Sequence, residues 1–131
     1  MIVLDTHVWV WWVSGSGRLS KTASEVIERA VAGKGFHLSS ISAWEVAMLV
    51  RDHRLELKTG VEDWIARSES LPFVHFVPVS NRIAVRSTSL PDFPRKDPAD
   101  RIIAATGLSL GMPVVTGDRA LRSYSGVETI W

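Results

Sequence analysis

Five short apolar runs, each separated from the next by helix-type periodicity, constrain this chain more than any other feature. They are Ile2-Val3-Leu4, Phe36-His37-Leu38-Ser39, Val74 to Val79, Pro113-Val114-Val115-Thr116 and Val127 to Trp131. Between them, apolar residues recur with helical spacing. Ala23, Val26, Ile27, Ala30 and Val31 fall at i, i+3, i+4, i+7 and i+8, which gathers them on one face of a helix. Strands that alternate with helices predict a mostly parallel sheet, because a parallel pair needs a long crossover and a helix supplies it. The expected fold is therefore α/β: a three-layer α/β/α sandwich around a mostly parallel central sheet of four to five strands. A chain of 131 residues, 46% of them hydrophobic, can bury one substantial core but would be cramped as two, so 1–131 is read as a single domain.

Local signals set the element ends. The first helix follows Leu4 and runs through Trp12. Thr22 and Glu25 have capping-box spacing near the start of the second helix, and Gly33 and Gly35 end it. Ser42-Ala43-Trp44-Glu45 has the same spacing after the second strand. Val61, Trp64 and Ile65 mark a further short helix, and Ser80 opens another. Pro78 assigns the third strand to an edge or a strand end. Asp97-Pro98 is a helix start, with an Asp cap and Pro at the first helical position. Gly111 stops that helix, and a short helix near Leu121 follows Gly117-Asp118.

Charge and cysteine usage exclude several classes. There are 15 Lys and Arg against 14 Asp and Glu, a net charge of +1. Binding of nucleic acid by bulk positive charge is thereby excluded, while a local basic rim is not. With 0 Cys there is no disulfide frame, no thiolate nucleophile and no Cys-ligated zinc. The apolar start is interrupted at once by Asp5, so it does not read as a targeting segment, and Val8 to Val13 is too short to span a bilayer. A cytoplasmic enzyme or binding module is the starting expectation.

In open α/β sheets, ligands bind outside the carboxyl ends of the strands. Four acids fall there: Asp5 after the first strand, Glu45 in the first turn of the helix after the second, Asp100 in the first turn of the Asp97-Pro98 helix, and Asp118 past the fourth strand. Singly, each has a plain structural reading as a cap, a turn or a complement to the helix dipole. Jointly they do not. Two carboxylates ~4 Å apart repel by about 4 kcal/mol at an effective dielectric near 20, whereas a cap is worth about 1 kcal/mol. If the acids converge, protonation or a divalent cation must relieve them. All-oxygen ligands suit Mg²⁺ or Mn²⁺.

The segments Val3-Leu4-Asp5-Thr6-His7, Ser42-Ala43-Trp44-Glu45-Val46, Lys96-Asp97-Pro98-Ala99-Asp100-Arg101-Ile102-Ile103-Ala104-Ala105-Thr106 and Pro113-Val114-Val115-Thr116-Gly117-Asp118 stand in the order of a PIN domain. The chain resembles the VapC type, the toxin half of a toxin–antitoxin pair, over essentially its whole length. The resemblance implies a metal-dependent endoribonuclease whose products carry a 5′-phosphate and a 3′-hydroxyl. It implies Asp5, Glu45, Asp100 and Asp118 as catalytic acids, with Asp5, Asp100 and Asp118 binding one or two Mg²⁺ or Mn²⁺. Glu45 would hold water or act as general base. Thr116 is the hydroxyl position that accompanies the last acid. Asp97 and Asp100 both precede the Ile102-Ile103 face; Asp97 is the natural cap, so Asp100 is assigned to the site and Asp97 is auxiliary. The resemblance also implies an RNA substrate, a cognate antitoxin whose tail covers the acidic groove, a homodimer and no membrane.

Arg95, Lys96, Arg101 and Arg119 lie near the acidic segments and are candidate phosphate contacts; for Arg122 a solvated helix face is the better reading. Among the 6 Trp, Trp9, Trp12, Trp44 and Trp64 read as core. Trp11 points elsewhere, toward a partner chain or, ranked lower, an RNA base. His7 reads as a hydrogen-bonded structural residue. His37, His53 and His75 lack zinc spacing. An aspartyl-phosphate phosphatase would want an Asp at the place of His7, and a phospho-receiver an acidic pair at the first strand. The remaining rival is a catalytically inactive PIN-like RNA- or protein-binding module.

Overall fold

The computed structural model describes residues 1–131. Its elements run β1 (Val3–Leu4), α1 (Thr6–Ser14), α2 (Lys21–Ala32), β2 (Phe36–Ser39), α3 (Ser40–Arg51), α4 (Val61–Glu69), β3 (Val74–Val77), α5 (Asn81–Ser87), α6 (Pro98–Leu110), β4 (Val114–Val115), α7 (Arg119–Ser123) and β5 (Thr129–Ile130). The five strands form one sheet in the order β3-β2-β1-β4-β5, and every pairing is parallel. In register, Val3 stands opposite His37 on one side and Val114 on the other. The expected architecture is therefore present with five strands, and β3, which ends just before Pro78, is an edge.

Side chains alternate across a strand, and the core divides accordingly. Ile2, Leu4, Phe36, Leu38 and Val115 face a cluster with Val8 and Trp9 of α1, Ala23 and Ile27 of α2, Val46 of α3 and Trp64 of α4. Val3 and Val114 face the other way, onto Ile103 and Ala104 of α6 and Leu121 of α7. Helices thus cover both faces. No helix is long and apolar enough to cross a membrane.

Two features place the site. Strand order runs outward from β1 in both directions, so the crevice between β1 and β4 is a topological switch point, where open α/β sheets bind ligands. In addition, α6 lies close on β4. A Cβ added at Gly107 would come within 2.8 Å of the Val114 side chain, so the absence of a side chain there sets how deeply α6 seats, and with it the position of its first turn.

Two capping assignments from the sequence are corrected. The cap of α2 is Ser20, whose hydroxyl accepts from the Ala23 N–H; Thr22 lies inside the helix. The cap of α3 is Ser39, accepting from the Ile41 N–H. Ser42-Glu45 is thus no capping box, and Glu45 lies in the second turn. A serine two or three residues earlier wins in each case because it leaves the strand or loop with extended backbone, as a cap requires.

Candidate active site

Asp5 directly follows β1 and is 4% exposed. Its Oδ1 accepts from the Thr6 N–H at 2.8 Å, which caps α1. Its Oδ2 accepts from the Thr116 hydroxyl at 2.8 Å. Thr116, fully buried after β4, also accepts from the Asp118 N–H at 3.1 Å through the same oxygen. His7 Nε2 accepts from the Gly117 N–H at 2.9 Å, so its proton sits on Nδ1, which lies 3.7 Å from Asp5 Oδ2. One buried network therefore welds the end of β1 to the end of β4. Left half-made, such a network would be costly, so satisfying it fixes the geometry.

The other acids arrive on helices. Ser42 and Glu45 are three residues apart on the inner face of α3. Thr6 Oγ1 lies 2.9 Å from Ser42 Oγ and donates to the Glu45 carboxylate. Asp97 caps α6, with Oδ1 accepting from the Ala99 N–H at 2.8 Å and from the Asp100 N–H at 3.4 Å. That bond leaves Asp100 in the first turn, its carboxylate free to face the crevice. Asp118 caps α7 through the Ala120 N–H at 3.0 Å. Its Oδ1 also takes Nη2 of Arg95 at 2.8 Å, and the same guanidinium lies 3.7 Å from Asp100.

Asp5, Glu45, Asp100 and Asp118 line one cavity of about 280 Å³ together with Thr6, His7 and Trp11. Crowding shows in the electrostatics. Burial, reinforced by the charges of Asp5, Asp97, Glu45 and Asp118, pushes the Asp100 carboxyl up to about 7. Burial also raises Glu45; the Thr6 hydrogen bond opposes this, and the charges of Asp5 and Asp97 add to it. No three of these groups close into a ready-made ligand cage. The donors are all oxygen, converge on one cavity and repel one another while a guanidinium sits at the rim. That set fits a hydrated divalent ion, since Mg²⁺ keeps several waters and takes only one or two carboxylates.

The PIN-domain profile matches residues 2–127. The chain belongs to the PIN-domain family. It is 35% identical over 132 residues to Ribonuclease VapC22 of Mycobacterium tuberculosis, covering 99% of this chain and 98% of that protein, which sets it among VapC-type PIN domains. Its fold matches a toxin–antitoxin complex from Klebsiella pneumoniae with TM-score 0.68 at 20% identity, over 100% of this chain and 97% of that one. It also matches VapBC2 of Rickettsia felis, solved with a promoter DNA fragment, with TM-score 0.71 at 15% identity, over 99% and 98%.

The remaining sequence-derived residues of this PIN domain divide clearly. Asp97 acts as a cap and stands outside the cavity lining. Arg95 pairs with two of the acids; Lys96 is exposed without a partner; Arg101 lies over the Phe93 ring, 5.5 Å from its centroid. Arg119 and Arg122 line a separate groove. Trp9 and Trp64 are core and Trp12 packs against it. Trp44 is not core: it is 55% exposed, because Ser42 and Val46 take the inner face of α3 and a residue two positions from each points outward. Trp11 is half-buried, 4.8 Å from the His7 ring, with the Arg18 guanidinium 5.0 Å above it. Sequence reasoning missed Thr6 and Ser42 as parts of the site. Both lie beside quoted acids, yet their partners are far along the chain, and no local pattern announces such bonds.

Proposed function

We propose that this PIN domain is a cytoplasmic, divalent-metal-dependent endoribonuclease that acts, as the single unit 1–131, as the toxin of a toxin–antitoxin pair. The observation that carries the reading is the gathering of Asp5, Glu45, Asp100 and Asp118 in one cavity at the sheet's switch point. The ribonuclease relative of matching length and the fold likeness to toxin–antitoxin complexes support it. All four acids line the cavity, which favours a nuclease over an inactive binding module.

Asp5, Asp100 and Asp118 would hold one or two Mg²⁺ or Mn²⁺ ions, directly or through bound water. Bound there, the ion relieves the carboxylate repulsion, lowers the pKa of water and offsets charge building on the phosphate oxygens. The chain's own residues do the rest. Thr116 and Thr6 fix Asp5 from both sides, so the carboxylate does not swing with protonation of its neighbours. Glu45, steadied by Thr6 and with its pKa raised by burial, is suited to take a proton from the attacking water. Arg95, with Lys96 and Arg101 on the same stretch, supplies cations for the phosphate once Asp118 and Asp100 turn to the ion. The partners of this reading are RNA, a cognate antitoxin covering the acidic cavity, and a second copy of the chain, for which exposed Trp44 is a candidate anchor.

The test is RNA cleavage by the purified chain with Mg²⁺, with EDTA, and for Asp5→Asn. Cutting in Mg²⁺ alone, with growth arrest on partner-free expression, supports the reading. A protein that cleaves no RNA with any divalent ion yet holds a partner would be a binding module instead.

A further inference from the structure

The acidic cavity poses a problem for its own substrate. Four carboxylates repel a polyanion, and a net charge of +1 supplies no general attraction. Attraction must come from a local surface. Arg95 cannot provide all of it, because its charge is engaged by Asp118 and Asp100.

A second depression lies one residue along the chain from Asp118. Arg119, Arg122, Ser123, Thr129 and Trp131 line a groove of about 580 Å³. Both arginines are exposed and neither is in an ion pair. Trp131 forms the apolar part of the wall. Its indole lies against Gly117, where an added Cβ would come within 3.0 Å of the ring, so a glycine there lets the indole seat on the turn that carries Asp118. Behind it stand Trp11, at 6.0 Å between ring centroids, and His7, at 6.4 Å. Both of those rings line the acidic cavity. One aromatic wall therefore borders the acids on one side and the free arginines on the other.

Unpaired guanidiniums beside an aromatic ring form the combination that holds single-stranded nucleic acid, with cations on the phosphates and an aromatic ring beneath a base. We propose that the Arg119–Arg122–Trp131 groove binds the single-stranded RNA segment next to the scissile phosphate. Arg119 and Arg122 contact its backbone and Trp131 stacks on one base. The inference rests on the ribonuclease reading and adds where the flanking strand lies. Stacking is sequence-tolerant, so the groove contributes affinity and register rather than base identity.

The experiment measures anisotropy of a fluorescein-labelled, random-sequence, single-stranded RNA pool against salt, with Asp100→Asn in every protein to block cutting. Arg122→Gln is expected to weaken binding about fivefold, the worth of one exposed charge contact, and to lower the slope of log affinity on log salt by about 0.7. Trp131→Ala is expected to weaken binding about tenfold with the slope unchanged. Trp131 also packs on the core, so Trp131→Phe, which keeps a ring, is expected to retain most of the affinity. A protein that binds RNA while Arg122→Gln and Trp131→Ala bind it equally well overturns the inference alone. Failure of the parent to bind RNA overturns the inference, whereas failure of the wild type to cut RNA in Mg²⁺ counts against the ribonuclease reading itself.

Discussion

Replacing Asp100 with Asn should stabilise the metal-free protein while abolishing its activity. The Asp100 carboxyl is held at about 7 against an ordinary 3.8, first by burial and then by the charges of Asp5, Asp97, Glu45 and Asp118. A folded-state pKa above the unfolded one means that folding favours the protonated form. The penalty for ionisation is thus absent below about pH 4, grows between about pH 4 and 7, and is complete above that. Taken at face value, the shift is worth about 4 kcal/mol. The side chain is 20% exposed and Arg95 stands 3.7 Å away, so solvent and the guanidinium reduce this to about 2 kcal/mol. Asn keeps the shape and removes the charge. Urea unfolding in EDTA should show Asp100→Asn more stable than wild type by about 2 kcal/mol near pH 8 and nearly equal to it near pH 4. A variant that is no more stable at the higher pH, or a difference that ignores pH, would refute the argument that the acids strain one another.

Other perturbations follow from the same network. Arg95→Gln removes a cation from the rim, so divalent-ion affinity in the absence of RNA should rise about fivefold, as calorimetry would show; unchanged or weaker affinity contradicts the contact. Thr116→Val leaves an Asp5 oxygen and the Asp118 N–H without their shared partner. It should cost about 1–3 kcal/mol in urea unfolding, with Thr116→Ser recovering most of it. Divalent-ion affinity should climb with pH and level off above about 7, as Asp100 loses its proton. Calorimetry in buffers of different ionisation heat should detect proton release below that point, and none if the acids are already ionised.

How much of this was legible beforehand depends on the reach of each interaction. Asp97-Pro98 marked the start of α6 because cap and ring act within three residues. The sheet was legible because its two faces demand alternate residues, as Ile2 and Leu4 against Val3 show. Asp5, Asp100 and Asp118 were legible by their place after strands and at a helix start, whereas Glu45 sits one turn further into α3 than its spacing from Ser42 implies. The start of α3 was misread because Ser39 and Ser42 are both capable caps, and only burial of Ser42 against Thr6 decides between them. The same packing turned Trp44 outward. Arg95's pairing with Asp118 bridges 23 residues and depends on how the loop before α6 folds back, which no periodicity encodes.

The account's central claim is that Asp5, Asp100 and Asp118, from three parts of the chain, together form one divalent-ion site. Titration of the metal-free protein with Mn²⁺ near pH 8, followed by the loss of the free-ion paramagnetic signal, tests it directly. The account predicts saturable binding that Asp5→Asn or Asp118→Asn each weaken strongly and that Asp97→Asn, a change at a cap outside the cavity, leaves nearly intact. Mn²⁺ binding that is absent from the wild type, or equal in all of these proteins, would contradict it.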